Sequence, residues 1–202
     1  RGGKGIIAAT TKEDDEVKNI FITRNHNYLL FFTNEGRVYW LKAFMIPQSN
    51  RYSKGKAIIN LLNLKDEKVN TILPIQNFDD QNYLLFVTKN GLIKKTNLKY
   101  YSNPSKAGIN AISIKGNDEL IQVRLTPGFL EFMVATKKGL AMRFNEKDVR
   151  SSGRNSSGVR GIKIRKDDEV IGIEVALLNG SLLTVTENGY GKRTDIEEYR
   201  LI

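Results

Sequence analysis

The sequence predicts an all-β, propeller-like fold built from four-stranded blades, and three observations carry that prediction. A Thr-x-x-Gly tetrad recurs four times along 202 residues. A second mark, a small residue followed by an acidic turn, recurs in step with it. Ile121–Leu125, between two such marks, alternates apolar and polar residues with period two, and no segment shows sustained helical spacing.

The tetrads are Thr33-Asn34-Glu35-Gly36, Thr88-Lys89-Asn90-Gly91, Thr136-Lys137-Lys138-Gly139 and Thr186-Glu187-Asn188-Gly189, with their glycines 55, 48 and 50 residues apart. Each lies between two apolar runs and reads as a tight β-hairpin, with glycine where a short loop demands positive φ. Gly5, Ala57, Gly108 and Gly158 each stand 12 residues before Val17, Val69, Leu120 and Val170. Just ahead of those apolar residues come the turns Asp14-Asp15-Glu16, Asp66-Glu67, Asp118-Glu119 and Asp167-Asp168-Glu169. They lack the alternating acidic spacing of a calcium loop and are expected to be solvated.

Units therefore begin near residues 5, 57, 108 and 158 and span 5–56, 57–107, 108–157 and 158–202 of one repeat-built domain. In the third unit the expected strands are Ile109–Ile114, Leu120–Leu125, Phe132–Thr136 and Leu140–Phe144. Ile121-Gln122-Val123-Arg124-Leu125 alternates as a strand with one buried face does. Repeats of this length with four strands each are the blades of propeller folds. Two stacked sandwiches give no reason for four equivalent units.

With 40% hydrophobic residues the chain is long enough to bury a sizeable core. Its 32 Lys+Arg against 22 Asp+Glu leave a net charge of +10. That balance favours a polyanionic partner, nucleic acid ahead of an anionic membrane surface. No apolar run approaches the roughly 18–20 residues that span a bilayer, and no signal-peptide core follows the first residues. A cytoplasmic protein without membrane partners is expected. The chain starts with Arg1, not Met, which suggests a piece of a longer polypeptide.

There is no cysteine, hence no disulfide, thiolate ligand or thiol nucleophile. The single histidine, His26, sits in the polar turn Arg24-Asn25-His26-Asn27 and reads as a plain turn residue. No Gly-x-Ser-x-Gly elbow accompanies it. Gly55-Lys56-Ala57 and Gly191-Lys192-Arg193 lack the Ser/Thr and the upstream glycine of a phosphate-binding loop. No catalytic residue, metal site or cofactor is expected.

The positive charge is clustered. Gly36 to Lys65 holds six cations (Arg37, Lys42, Arg51, Lys54, Lys56, Lys65) and no acid. Gln81 to Asn117 holds six more (Lys89, Lys94, Lys95, Lys99, Lys106, Lys115), again with no acid, and Lys137 to Lys166 holds ten cations against Glu146 and Asp148. Equivalent segments of equivalent blades emerge on one side, forming a curved positive stripe that suits the backbone of duplex DNA and bends it. Single strands are disfavoured, because Phe31, Phe32, Phe86 and Phe132 sit inside apolar strands as core residues. Tyr39, Trp40, Tyr100, Tyr101 and Tyr190 lie nearer the basic segments and suit either DNA contact or blade packing.

Arg1-Gly2-Gly3-Lys4-Gly5 resembles the basic box written Gln-Arg-Arg-Gly-Gly-Lys-Gly in the C-terminal domain of DNA gyrase A, less its first two residues. Gly36-Arg37-Val38-Tyr39, Ile59-Asn60-Leu61-Leu62, Asn90-Gly91-Leu92-Ile93-Lys94-Lys95-Thr96, Ser157-Gly158-Val159-Arg160-Gly161-Ile162 and Glu187-Asn188-Gly189-Tyr190-Gly191-Lys192-Arg193-Thr194 resemble the same family, so the likeness covers essentially the whole chain. It implies a β-pinwheel, in which propeller-like blades exchange strands, with duplex DNA wrapped around a basic rim in support of ATP-dependent negative supercoiling. The box residues Arg1, Gly2, Gly3, Lys4 and Gly5 are implied to be required for that activity. The remaining gyrase A domains and gyrase B, in an A2B2 assembly at the nucleoid, are the implied partners and carry the catalytic groups.

Expected DNA contacts are Arg1, Lys4, Arg37, Lys42, Lys54, Lys56, Lys94, Lys95, Lys106, Arg143, Arg154, Arg160, Lys192 and Arg193. The family domain usually has six blades and this chain shows four. An open arc is the expectation, with closure by four units alone or completion by a partner chain as the alternatives. Two rival functions are the corresponding domain of topoisomerase IV, which lacks an intact box, and a protein-interaction propeller, which predicts little DNA affinity.

Overall fold

The four tetrads each close an antiparallel hairpin in the computed structural model, which describes residues 3, 17, 19–50, 52–103, 105 and 107–202. In chain order the strands are β1 (Tyr28–Thr33), β2 (Arg37–Lys42), β3 (Val69–Ile75), β4 (Tyr83–Thr88), β5 (Leu92–Asn97), β6 (Ile109–Asn110), β7 (Leu120–Thr126), β8 (Glu131–Thr136), β9 (Ala141–Asn145), β10 (Val159–Arg160), β11 (Val170–Val175), β12 (Ser181–Val185) and β13 (Gly191–Asp195). A 3-10 turn directly follows each hairpin, at Ala43–Met45, Leu98–Tyr101, Glu146–Asp148 and Ile196–Glu198, and a further one lies at Ile58–Asn60 ahead of β3. No helix among the described residues is long and apolar enough to cross a membrane.

The strands form four sheets, ordered β3-β1-β2-β6, β7-β4-β5-β10, β11-β8-β9 and β12-β13. Strands β3, β7 and β11 touch one another between sheets and form the inner side, leaving β6 and β10 outermost. This confirms an all-β, propeller-like architecture and corrects the phase of the repeat. β1, β2 and β3 share a sheet although they straddle the expected boundary at residue 57. Each repeat instead runs from its hairpin to its inner strand and lends one short strand to the sheet before it: β6 to the first, β10 to the second. Self-similarity fixes a period, not the point at which one blade ends.

The four strands expected in the unit 108–157 therefore fall in three sheets, and the first of them is cut short. Beyond Asn110 the backbone leaves the ladder, because the N–H groups of Ala111 and Ile112 both donate to the Gly36 carbonyl, at 2.8 and 3.1 Å. The next repeat does the same, with the N–H groups of Gly161 and Ile162 on the Gly91 carbonyl at 2.9 and 3.2 Å.

The hairpin strands of the first two sheets are largely buried on both faces. In β4, Leu84 and Phe86 pack toward the first sheet with Leu30, Phe32 and Val123, while Leu85 and Val87 pack toward the third with Phe132, Val134 and Ile173. Phe32 and Phe86 meet edge to face at 5.7 Å, joining the first two sheets. A strand covered on both sides needs a continuous apolar run, which is what Tyr83-Leu84-Leu85-Phe86-Val87 supplies.

The acidic turns are not merely solvated, which corrects that expectation. Glu67 and Asp118 are buried. Glu67 accepts from Thr33 Oγ1 at 2.6 Å and from the Tyr39 hydroxyl, and Asp118 accepts from the Asn90 N–H at 2.8 Å. Asp168 accepts from Thr136 Oγ1 at 2.7 Å and from the Lys138 N–H at 2.9 Å. Each acid thus pins the tetrad hairpin of its own sheet. The two sequence marks share a period because they are in contact.

Candidate nucleic-acid interface

Much of the exposed positive charge lies where the chain crosses between sheets. After its 3-10 turn each complete repeat steps back to lay a short strand on the outer edge of the preceding sheet. It then passes over that sheet's hairpin glycine, turns at the acid pair and returns as its own inner strand. Val149 to Lys166 illustrates the composition: Arg150, Arg154, Arg160, Lys163, Arg165 and Lys166, with no acid. Ile162 and Ile164 pack over Gly91, leaving Lys163 and Arg165 exposed. On the other crossovers Lys54, Lys56, Lys99 and Lys115 are exposed.

Of the cations expected to meet DNA, Lys54, Lys56 and Arg160 stand exposed on crossovers or the outer strand β10, and Arg154 is half-buried on the crossover before it. Lys192 and Arg193 are exposed on β13, the edge of the two-stranded sheet. Arg37 and Lys42 are half-buried and engaged: Arg37 donates to the Ala107 and Gly108 carbonyls, and Lys42 Nζ donates to the His26 carbonyl at 2.9 Å, 3.3 Å from the Tyr28 ring centroid. Arg1, Lys4 and Lys106 lie outside the described residues, as do Gly2 and Gly5 of the box and the turn Asp14-Asp15-Glu16; Gly3 is exposed.

Three expected contacts are corrected. Lys94, Lys95 and Arg143 are 1%, 7% and 8% exposed and cannot reach a phosphate from those positions. Lys94 Nζ donates to the Ala111 and Arg154 carbonyls, each at 2.6 Å, with the Phe86 ring centroid 5.4 Å away. Burial, reinforced by the Arg154 charge, pushes its ammonium down to about 7. Lys95 Nζ donates to the Glu146 carbonyl at 2.5 Å. Arg143 pairs with Glu131 at 2.7 Å and donates to the Ile196 and Tyr199 carbonyls. These side chains fasten one repeat to the next.

The expected contact set omits Lys147, Arg150 and Lys99, yet all three are exposed on the crossovers. Their signal is local: each follows the second hairpin strand by a few residues, where the chain has left the sheet. Lys89 and Lys137, by contrast, are engaged with Glu119 and Glu169 in a row of surface ion pairs at 3.3–3.7 Å between neighbouring hairpin turns. His26 occupies an exposed turn, as expected. Tyr39 and Tyr101 are core residues, whereas Tyr100 and Tyr190 are exposed.

No group of three or more metal-ligating side chains occurs among the described residues. What the crossovers present is a series of long-stemmed cations carried on a rigid β scaffold. Such a surface can neutralise a polyanion's regularly spaced charges.

A family model described as DNA gyrase C-terminal domain, beta-propeller, matches residues 1–24, 27–76, 82–127, 130–176 and 180–202, with its breaks falling just before the hairpins. The DNA gyrase A protein of Clostridium acetobutylicum is 51% identical over 201 residues, covering 99% of this chain and 24% of that protein. The DNA gyrase A protein of Salmonella typhimurium is 42% identical over 200 residues, covering 98% of this chain and 23% of that protein. The chain thus spans about a quarter of the length of the curated relatives it matches. A solved C-terminal domain of DNA gyrase A superposes with a TM-score of 0.75 at 29% identity, over 96% of this chain and 66% of that one. A solved C-terminal domain of DNA topoisomerase IV superposes with a TM-score of 0.80 at 29% identity, over 88% of this chain and 56% of that one.

Proposed function

This chain belongs to the DNA gyrase C-terminal domain family, and from that premise we propose that it binds duplex DNA along its crossovers and bends it around the outer side of the sheets. The observation that carries the reading is the excess of exposed or half-exposed cations on successive crossovers: Lys54 and Lys56, then Lys99, then Lys147, Arg150, Arg154 and Arg160, with Asp148 the one exposed acid between them in the last group. These residues replace the buried trio in the proposed contact set. Arg1, Lys4 and Lys106 stay in it on their sequence context alone, together with a role for the box Arg1 to Gly5 in supercoiling.

The duplex is the proposed partner because its charges are regularly spaced along a stiff path that a curved row of cations can follow. Chemistry is assigned elsewhere: the strand-cleaving and ATP-hydrolysing groups belong to the remaining gyrase A domains and gyrase B, in an A2B2 enzyme acting on the nucleoid. There the wrapped segment presents a crossing of fixed hand to the strand-passage core.

The test is binding to a duplex of about 40 base pairs carrying an energy-transfer pair at its ends, over a series of salt concentrations. Expected is steeply salt-dependent binding, with the ends drawn together. Replacing Lys147, Arg150 and Arg160 by alanine together makes the log-log salt slope shallower by about two to three, since each phosphate contact contributes about 0.9. Absence of binding at low salt overturns the proposal in favour of a protein-interaction propeller. Binding without end-to-end approach removes the bending and leaves only the electrostatic contact.

A further inference from the structure

The 3-10 turn after each hairpin presents its second residue at one place in the repeat, eight residues beyond the tetrad glycine: Phe44, Lys99, Lys147 and Glu197. All four are exposed. In the second and third repeats this place holds a cation of the proposed DNA contact row, and Glu197 lies outside that row. In the first repeat it holds a phenylalanine followed by Met45, and these two side chains are 59% and 56% exposed although neither has a charge to solvate. Repeat equivalence sets Phe44 at the same height above the sheets as Lys99 and Lys147, on the crossover that also carries the exposed Lys54 and Lys56.

Phe44 is exposed and also held in place. Its N–H donates to the Asn25 carbonyl at 3.1 Å, the Ile46 N–H closes the turn on the Ala43 carbonyl at 3.1 Å, and the His26 ring meets the Phe44 ring edge to face with centroids 6.2 Å apart. A ring carried on a fixed turn loses little conformational freedom when a partner covers it. Phenylalanine offers a phosphate nothing and gains only by leaving water. On a duplex laid along the neighbouring cations, the apolar surface open to it is the face of a base, reached where a base step parts.

We propose that Phe44, with Met45 beside it, is an apolar wedge that parts one base step of the bound duplex from its minor-groove side and kinks it at the first crossover. The inference rests on the DNA-binding reading above and adds to it a fixed point at which bending is concentrated. The cations of the contact row hold the backbone against the protein while the step opens. Parting a step costs least where the stack is flexible, at pyrimidine–purine steps. The wedge therefore gives an otherwise sequence-independent backbone contact a preference for duplexes that carry a TA or CA step.

The experiment places 2-aminopurine, which brightens when unstacked, at TA steps spread along the duplex used above. It compares the wild-type full-length polypeptide with Phe44→Ala and Phe44→Lys, following fluorescence and the salt slope of binding in the same preparations. Expected is a rise in fluorescence on wild-type binding that falls by about half or more with Phe44→Ala, at an unchanged slope, because alanine removes the ring and no charge. Phe44→Lys also loses the rise and steepens the slope by about one, since a cation at that place meets a phosphate. A bound duplex that stays dark with the wild type, or a rise that survives Phe44→Ala, overturns the wedge. An unchanged slope with Phe44→Lys overturns it as well, because it puts position 44 off the DNA path and makes Phe44 and Met45 a surface for another protein. Absence of any binding overturns the DNA-binding reading itself, and the wedge with it.

Discussion

Alanine at Gly36 or Gly91 is expected to destabilise the domain by about 2–5 kcal/mol, whereas alanine at Gly139 costs only about 1–2 kcal/mol, although all three occupy the same place in the repeat. All three have positive φ, at 79°, 83° and 84°, so the backbone penalty of a side chain is common to them. They differ in what the side chain meets. A Cβ on Gly36 lies 2.4 Å from the Ile112 carbonyl oxygen and one on Gly91 lies 2.6 Å from that of Ile162, while a Cβ on Gly139 meets no described atom within 4 Å. Relieving the clash lifts the crossover off the hairpin and breaks the paired N–H bonds onto the glycine carbonyl, which adds an overpacking cost of about 1–3 kcal/mol. Urea unfolding of the three variants checks the order, and hydrogen exchange at Ala111 and Ile112 checks the mechanism. Equal losses at all three glycines, or intact protection at Ala111 and Ile112 in Gly36→Ala, contradict it.

The same contrast shows what a single chain's sequence can reveal. The period is legible because every repeat solves one problem, closing a hairpin against an acid from the far end of its own sheet. Thr33 with Glu67 and Thr136 with Asp168 leave that solution as two marks in step. Their coincidence is itself a sign of contact, and it is easily mistaken for two independent features. The phase is not legible, since shifting the frame by half a repeat leaves the self-similarity unchanged.

The cations divide for a physical reason that the sequence carries only indirectly. Lys94 and Lys95 are adjacent in a strand, so their side chains point to opposite faces, and on an ordinary half-solvated sheet one of them reaches water. Here neither does, because both faces are covered. The sign of this lies on the neighbouring strand, whose unbroken apolar run has no polar face to offer solvent. Charge counting along β5 registers two cations and misses that their heads are committed to main-chain carbonyls. On the crossovers no such commitment is imposed, so there the charge visible in sequence is also charge at the surface.

The buried ammonium of Lys94 makes stability depend on pH in a direction opposite to that of an ordinary ion-paired lysine. With its value pushed from 10.5 to about 7 in the folded protein, both folded and unfolded chains carry the proton below about pH 7, and the fold bears the full cost of a buried charge. Between about 7 and 10.5 the unfolded chain binds a proton that the folded one has released. Stability therefore rises with pH across that window, and above it the contribution is constant. Each unit of separation corresponds to about 1.4 kcal/mol. From about pH 7.5 to 9.5 the wild type should gain about 2–3 kcal/mol relative to Lys94→Met, measured by urea unfolding. The comparison with Lys94→Met matters because a chain of net charge +10 also loses general repulsion as pH rises, and that effect is common to both proteins apart from the single lysine. The neutral amine still has two N–H groups for the Ala111 and Arg154 carbonyls, so releasing the proton removes the charge without opening the contact. Parallel pH profiles for the two proteins would show that Lys94 keeps its proton when folded, which at this depth requires a solvent path to its ammonium.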